Sequence, residues 1–546
     1  MNPMEDIFFL TKVSKRKKSV FSSMDKDSIE KIYDKLEQEP DISRYSIKDS
    51  LRQIGLLIDL SLDLKKPDGL DIALKQCEYL KKQNLSDIQL TTLHYFLSNI
   101  WANKQELDGK IRCWNWEQDE IGFQIMNLRK AMNSPGFKRI SKLRRCQIFT
   151  NLGNLMDHIG RFVDAIDYWD KALRVDPTFA MALGNRAMGI TNYANALYDS
   201  GHKNIFYRSA LSALDDTLKY KLPIYSKEPF ENCANSIRSI LQERFPEDCS
   251  HCRHNRRYSL GRSIKEKIYR KWCLDHRLFL NPLNDLGPNS IAAADVISMP
   301  SIVYKIDEGP YYDGFYNQLK QEYVSSRYLY YEGITPSNSS HFSDKHVLLI
   351  NTLDYPAYSL SIEKIKIAYR VIYSIFDKIA YFLNHYLELS IPENKVYFRT
   401  IWYKSRRQQE GLRNELSEKP NWPLRGLFWL SKDLFDKNIK DSIEPEAQKL
   451  DIIRNHIEHK YFKLHTEYIF NYQSQESQWF ADKLAYSMFI VEFEDLTLRL
   501  IQLARAALIY LSLAVHQEEL YRSKNEDRGK ILKLGALPAY DDSWKL

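Results

Sequence analysis

The sequence predicts an all-α protein in two parts, a stack of helical pairs followed by a four-helix bundle with insertions. Glycine and proline are scarce, with 19 of each among 546 residues, whereas turn-rich sandwiches and barrels need more of both. Apolar residues recur at near-helical spacing along most of the chain. A composition of 44% hydrophobic and 27% charged residues is that of a globular chain long enough to bury large cores.

The sequence also favours a cytoplasmic protein without a membrane span. The longest apolar run, Ala506–Val515, follows Arg505 directly and is too short to cross a bilayer. Near the N-terminus, the cationic cluster Lys15–Lys18 comes after the apolar Ile7–Leu10, which is the reverse of the order in a signal peptide. Seven scattered cysteines, an odd number, fit a reducing compartment better than a disulfide framework.

Residues 1–240 contain successive amphipathic helices, and one segment has a specific pattern. Within Cys146–Phe179, Gly153 occupies a place where two helices must cross closely, and Trp169 fills the groove beside it. Pro177 follows where the second helix must end. These spacings resemble the tetratricopeptide repeat, a helical hairpin that stacks into a solenoid.

The repeat pattern continues beyond this segment. A shift by one repeat length puts Ala187 in the place of Gly153, so a further repeat is predicted to begin near Ala180. Because one repeat cannot bury its own apolar face, we expect roughly three or four irregular helical pairs in this half. An ordinary helical bundle is the alternative.

Residues 241–300 form a predicted connector that carries much of the positive charge. The stretch 253–271 holds eight lysines and arginines against one glutamate, and the whole chain has a net charge of +7. Such a stretch could face a polyanion such as RNA, or it could be a solvated helix face. The residues predicted to bind RNA are Arg253, Arg256, Arg257, Arg262, Lys265 and Lys267.

One cysteine pair in the connector has the spacing of zinc ligands. Cys249 and Cys252 form a C-x-x-C motif, but a structural zinc site needs four ligands. Cys233, Cys273 and His254 are candidates for the rest, and none has a diagnostic spacing. Ordinary reduced cysteines are therefore favoured, and no metal or other cofactor is predicted.

Residues 301–546 return to helical periodicity. Four helices of suitable length predict an antiparallel bundle, and a polar insertion is expected between residues 404 and 422. The predicted bundle helices are 361–389, 425–435, 446–465 and 479–521.

The third of these helices carries the one group of residues with catalytic chemistry. Arg454, Asn455 and His459 form an R-N-x-x-x-H pattern. Histidine can exchange a proton near neutrality, and arginine presents a fork of donors that matches phosphate oxygens. Asn455 and His459 are four residues apart and so share a helix face. On a helix within a predicted bundle, this motif resembles that of the HEPN superfamily.

The resemblance extends upstream of the bundle. Tyr269–Leu274 and Arg277–Leu286 are similar to a segment of bacterial HEPN proteins with helical-repeat N-terminal halves, so the likeness covers about residues 270–546. It implies a metal-independent endoribonuclease that leaves a 2′,3′-cyclic phosphate and a 5′-hydroxyl. It further implies a homodimer in which two motifs form one site, and an antiviral or toxin effector whose repeats bind a protein or nucleic-acid trigger.

The resemblance implies that His459 is the general acid or base and that Arg454 binds phosphate. It implies that Asn455 holds groups of the site in position by hydrogen bonding. The plainer interpretation is a surface ion pair between Arg454 and Glu458, with His459 only capping or packing. At the level of the whole protein, the alternatives are a non-catalytic scaffold that dimerises and binds nucleic acid, and an adaptor that binds only proteins. Phosphate loops, zinc-protease motifs, serine-hydrolase elbows and dinucleotide fingerprints are absent from the sequence. Of the histidines at positions 456, 459, 465 and 516, the first two lack a carboxylate or cysteine partner at metal-ligand spacing.

Overall fold

The structure is a computed structural model, and it describes residues 26–38, 40–110, 114–222, 224–245, 258–305, 307–335, 339–405, 410–435, 447–466, 482–525 and 537–545. These residues are mostly helical, as the sequence predicts, with one pair of short strands. The helices of the first half are α1 (Lys26–Gln38), α2 (Ile47–Asp63), α3 (Asp68–Lys81), α4 (Asp87–Leu107), α5 (Asp119–Asn133), α6 (Lys142–His158), α7 (Phe162–Val175), α8 (Ala180–Ala196), α9 (Ser200–Thr217) and α10 (Ile224–Arg244). The later elements are α11 (Ile264–Asp275), α12 (Tyr311–Ile334), α13 (Leu360–Tyr386), α14 (Asn414–Ser417), α15 (Trp422–Phe435), α16 (Ala447–His459), β1 (Tyr461–His465), β2 (Ala485–Phe489) and α17 (Ile490–Asn525).

The first half is a series of packed helical pairs. Each of α2–α3, α4–α5, α6–α7 and α8–α9 packs against its sequence neighbour. In the α6–α7 pair, the backbone of Gly153 lies directly against the indole of Trp169, so that even a methyl group at position 153 would overlap the ring. Helix α8 begins at Ala180, where the sequence predicts a further repeat. The helical N-terminal half is thus consistent with tetratricopeptide-like repeats.

Two hydrophobic cores hold the protein together. A small one lies among α1–α4 and contains the residues Ile54, Leu57, Ile58 and Leu60, whose spacing predicts a helix. The large one runs from Tyr95 to Val515 and therefore crosses the positions of both predicted boundaries, near residues 240 and 300.

The described part of the connector packs into this large core. Leu278, Leu280 and Leu283 are buried. The guanidinium of Arg505 on α17 donates to the carbonyl oxygens of Phe279 and Asn281, and it pairs with a side chain of the same segment, Asp285, at 2.7 Å. The segment whose sequence resembles HEPN proteins is thus fixed to the last helix.

Helices α12, α13, α15 and α17 form the bundle, and α16 packs on α13 and α15. The motif helix, predicted as the third helix of the bundle, therefore packs on the bundle, and α12 is its fourth member instead. Among the described residues, α17 is the one helix that by length and composition is able to cross a membrane, and 83% of its most apolar 18-residue window is buried inside the protein. Burial against α12, α13 and α15 accounts for its apolar composition, because a core helix is apolar on every side.

Two predicted helix boundaries are wrong. The predicted helix 446–465 ends at His459, and Tyr461–His465 is a strand instead. The predicted helix 479–521 begins only at Ile490, because Ala485–Phe489 is a strand that pairs in parallel with β1, Tyr461 opposite Ala485. Strands β1 and β2 are too short to show a clear period, and each lies next to a strongly helical segment. Their pairing joins distant positions, which a local pattern does not report.

Close contact between α15 and the turn after α6 joins the two halves. Gly160 has a left-handed φ of +87°, and a Cβ atom there would overlap the carbonyl oxygen of Trp422. A Cβ on Gly426 would in turn overlap the carbonyl oxygen of Gly160. The indole of Trp422 donates to the backbone oxygen of Asp157 at 2.7 Å, and its ring lies 4.6 Å from that of Phe162.

A network of buried charges surrounds this contact. Arg129 on α5 donates two hydrogen bonds to Asp433 on α15, at 3.1 and 3.0 Å. Arg161 pairs with both Asp433 and Asp164, and Arg499 on α17 pairs with Asp164 at 3.2 Å. Although burial opposes it, the charges of Arg161 and Arg499 lower the pKa of Asp164 to about 2. Every one of these ion pairs except Arg161–Asp164 joins the repeat half to the bundle.

We expect Gly426→Ala to lower the free energy of unfolding by about 1–3 kcal/mol, because the new methyl group must displace the backbone at Gly160. Gly314→Ala on α12 is the matched control, since a Cβ there meets nothing within 4 Å. It is expected to leave stability unchanged or to raise it by up to about 1 kcal/mol. Urea unfolding of the three proteins measures the difference, and equal stabilities would show that the two halves do not need this close approach.

Asp157 generates a prediction about pH. Burial raises its pKa to about 7, and among the described residues its carboxylate accepts one hydrogen bond, from the side-chain amide of Asn192 at 3.1 Å. A carboxyl group whose folded pKa is raised gives stability that is complete below its unfolded value near 4 and is lost as pH rises through 7. The free energy of unfolding of Asp157→Asn, relative to that of the wild type, should therefore be higher at pH 8 than at pH 5. The expected change between the two pH values is about 1 kcal/mol or more. Urea unfolding at the two pH values tests this, and a pH-independent difference would contradict it.

Candidate active site

The motif helix α16 is held on the bundle by its apolar face. Leu450 and Ile453 are buried, and the hydroxyl of Tyr369 on α13 donates to the backbone oxygen of Leu450 at 2.6 Å. Lys449 pairs with Glu492 at the start of α17. These contacts fix which face of α16 looks outward.

The structure brings Arg454 and Asn455 into contact. The guanidinium of Arg454 donates to the side-chain oxygen of Asn455 at 3.2 Å and lies 5.8 Å from the ring centroid of Tyr373 on α13. Burial raises the pKa of nearby Asp377, and the charge of Arg454 partly offsets that rise. Among the described residues, Arg454 and Glu458 do not form an ion pair. The alternative interpretation of Arg454, a surface ion pair with Glu458, is therefore not what the structure shows.

His459 is the last residue of α16, and its side chain is exposed. Among the described residues, none lies within hydrogen-bond or ion-pair distance of its ring. His456, in the variable middle of the motif, faces inward instead: its Nδ1 lies 2.8 Å from the backbone oxygen of Ile452, and its ring packs 5.2 Å from Tyr486. The helix therefore presents His459, and not His456, to solvent.

Strand β1 begins two residues after His459 and carries polar side chains inward. Lys463 is buried between Asp354 and Asp482, at 2.6 and 2.9 Å. His465 is buried, and burial lowers its pKa below the usual range. The hydroxyl of Tyr461 lies 3.3 Å from that of Tyr358, just before α13. Sequence reasoning weighs His465 only as a metal ligand and misses Tyr461 and Lys463. It also misses Tyr373 and Asp377, because only the packing of α13 brings them to the motif.

The four histidines considered at the sequence level do not converge. His516 lies on α17 beside Tyr198 of the repeat half, with ring centroids 5.6 Å apart. It is 23 residues along α17 from Phe493, which packs on Phe462, so roughly 35 Å separates it from the motif end of the helix. In the part of the chain that the structure describes, no three histidine, cysteine or acidic side chains are grouped to hold a metal ion.

The predicted RNA-binding residues divide into two sets. Arg253, Arg256 and Arg257 lie outside the described residues. Arg262, Lys265 and Lys267 are exposed at the start of α11, where Ser263 caps the helix by accepting from the backbone N–H of Glu266 at 3.1 Å.

The basic start of α11 lies near the N-terminal end of α13. The charge of Lys265 helps to lower the pKa of Glu332 on α12, although the main cause is a hydrogen bond from Lys364 in the first turns of α13. Tyr358, two residues before α13, contacts Tyr461 on β1, which begins two residues after His459. Both the start of α11 and the segment that follows α16 therefore lie near the N-terminal part of α13.

The candidate zinc ligands are only partly described. Cys249, Cys252 and His254 lie outside the described residues. Cys233 and Cys273 are buried thiols on α10 and α11, and burial raises the pKa of each to about 11. Thiolates bind zinc, so these two side chains are in unfavourable surroundings for it.

Comparison with protein families adds one finding. Residues 303–518 match the model of the family described as LA2681-like HEPN. The match extends over α12, α13, α15 and α16 and most of α17, and so includes the whole motif helix. Neither the curated proteins nor the solved structures gave a significant match. Residues 303–518 therefore form an LA2681-like HEPN domain, and the helical N-terminal half is consistent with tetratricopeptide-like repeats.

Proposed function

We propose that this protein is a metal-independent endoribonuclease and that Arg454, Asn455 and His459 form half of its active site. The observation that carries the proposal is the arrangement at the end of α16. Arg454 contacts Asn455 and has no carboxylate in ion-pair distance among the described residues, while His459 is exposed one turn further on. HEPN membership agrees with an RNase-like or nucleotide-related function at the level of the superfamily.

The chemistry assigned to these residues is transesterification at phosphorus. A general base takes the proton of a ribose 2′-hydroxyl, and the oxygen attacks the adjacent phosphate. The bond to the 5′-oxygen breaks, and a general acid gives that oxygen a proton, which leaves a 2′,3′-cyclic phosphate and a 5′-hydroxyl. Arg454 would hold the phosphate oxygens while their charge increases, and Asn455 would orient the arginine.

One copy of the motif presents only one exposed histidine, His459, because His456 packs inward. A base and an acid on opposite sides of the phosphate need two, so we propose a homodimer in which His459 of each copy faces the same phosphate. Arg262, Lys265 and Lys267 at the start of α11 would contact the RNA backbone outside the site.

The proposed biological role is that of an antiviral or toxin effector in the cytoplasm. A ribonuclease that acts on cellular RNA has to be restrained until it is needed. We propose that the repeat half binds a protein or nucleic-acid trigger and regulates cleavage. The network around Asp433 and Asp164 supports this, because it couples the repeats directly to α15, on which α16 packs.

We expect His459→Ala to reduce RNA cleavage by about 100-fold or more, because it removes a general acid or base. The assay uses the purified protein with total and transfer RNA in EDTA, and the chemistry of the fragment ends is determined. Glu458→Ala is the matched control, since Glu458 is the exposed neighbour of His459 in the same turn. That variant should cleave as the wild type does and leave cyclic-phosphate ends.

Two results would contradict the proposal. Equal cleavage by His459→Ala and the wild type would remove His459 from the site. RNA binding without any cleavage, also in the presence of infected-cell extract as a source of trigger, would favour a non-catalytic scaffold.

Charge removal on α11 tests the RNA-contact proposal separately. We expect Lys265→Gln with Lys267→Gln to weaken RNA binding and to reduce the slope of log affinity against log salt concentration by roughly 1–2, about one for each lost phosphate contact. Lys219→Gln with Lys305→Gln is the control, since both side chains are exposed elsewhere, at 73% and 81%. Equal salt slopes for the two double variants in fluorescence anisotropy would show that α11 is only a solvated helix face.

A further inference from the structure

A run of exposed apolar side chains lies between α12 and α13, near the motif. We call residues 342–358 the apolar segment. Leu348 is 89% exposed and Ile350 77% exposed, although both are strongly hydrophobic. The other large apolar residues exposed in it are Phe342, Val347, Leu349, Leu353, Tyr355 and Tyr358. Single exposed apolar residues are common on proteins, but a contiguous set of this size marks a binding surface.

The apolar segment is fixed to the fold at several points. The carboxylate of Asp344 accepts from the backbone N–H of Leu360 at 3.2 and 3.0 Å, which caps α13. The backbone N–H of Ala357 donates to the carbonyl oxygen of Leu464 in β1 at 2.8 Å. Asp354 pairs with Lys463. The segment is therefore anchored at its start and at its end.

The backbone between these anchors has an unusual shape. His346, Leu353 and Tyr355 have positive φ values of 63°, 63° and 49°. Residues with side chains adopt this region rarely and at a cost, so such a conformation persists only where the surroundings specify it. Val347–Ile350, which follow the first of these residues, are exposed.

The apolar segment is continuous with the candidate active site. Its last residue, Tyr358, contacts Tyr461, which is two residues from His459. A partner that covers the Tyr358 end of the segment would therefore lie near the start of β1, two residues after His459. The stretch Val347–Leu353 contains no charged residue, so it offers nothing to the phosphates of RNA, which are bound by lysine and arginine.

We propose that the apolar segment is the surface on which a second copy of this chain docks. The choice of occupant rests on the proposed function, because the site is incomplete without the histidine of a second copy. The number of exposed residues fits as well: eight large apolar side chains between 47% and 89% exposed are able to form the apolar centre of a standard interface, which buries about 800 Å² per partner. In a two-fold dimer the segment meets its own copy, so one apolar surface serves both sides.

The first test is the mass of the full-length protein in solution. We expect a dimer for the wild type, and a dissociation constant raised about tenfold or more in Leu348→Asp and in Ile350→Asp, because each buries a charge in an apolar interface. Leu143→Asp is the matched control, a 57% exposed leucine in the repeat half, and it should dimerise as the wild type does. Sedimentation equilibrium over a range of concentrations gives the constants, and thermal unfolding confirms that each variant is folded.

A wild type that is monomeric at all concentrations would overturn the proposal, and so would a dimer that neither substitution weakens. The first result would mean that the apolar segment binds another partner or another part of the same chain. The second would place the dimer contact elsewhere on the surface. Neither result depends on RNA cleavage, so a protein that dimerises through the apolar segment but cuts no RNA would contradict the proposed function alone.

The second test links the dimer to the site. Wild type and His459→Ala are mixed in equal amounts and allowed to exchange subunits. If each site needs both histidines, only wild-type pairs cleave, and activity should be about one quarter of that of the same total amount of wild type. About one half would mean that each copy acts alone and would overturn the pairing of motifs. With Leu348→Asp, cleavage should fall together with dimerisation and recover at high protein concentration.

Discussion

The close approach of Gly160 and Gly426 is the constraint on which the rest of the structure depends. With no side chain at either position, the turn between α6 and α7 sits directly on α15. Helix α15 is then buried on all sides, from Trp422 to Leu434. Helix α16 packs against α15 and α13, so the position of the motif depends indirectly on the repeat half.

Three buried arginines show how Arg454 differs from an arginine in a buried ion pair. Arg129, Arg327 and Arg505 are buried, and each pairs with an aspartate that compensates for the loss of hydration. Arg454 is only half-buried and is held by an asparagine and a tyrosine ring, which orient a guanidinium without neutralising it. A cation oriented in this way keeps donors for an anion, whereas the buried pairs have used theirs.

Much of the fold is predictable from local sequence, and the remainder depends on contacts between distant segments. The contact of Gly153 with Trp169 and the start of α8 follow from repeat spacing, because each concerns neighbouring helices. The motif of α16 is found because its residues share one helix. The β1–β2 pairing, the contact of Gly160 with Gly426, and Tyr373 beneath Arg454 each join positions between 24 and 266 residues apart. No periodicity within a window reports such pairs, and the apolar segment looks in sequence like a short core strand.

The architecture of the junction limits how the repeats are able to control the proposed nuclease. To separate the two halves would expose α15 and leave Asp433 and Asp164 without their arginines, and breaking even one such buried pair costs about 3–5 kcal/mol. A trigger usually binds one state of a protein only moderately more tightly than the other. This difference in binding free energy is smaller than the free energy needed to separate the two halves. Control by release of one half from the other is therefore unfavourable. In the proposed dimer, control through the alignment of the two copies would require less free energy, because the apolar segment and His459 lie at the surface, and a small shift of α15 and α16 would change how the two motifs meet.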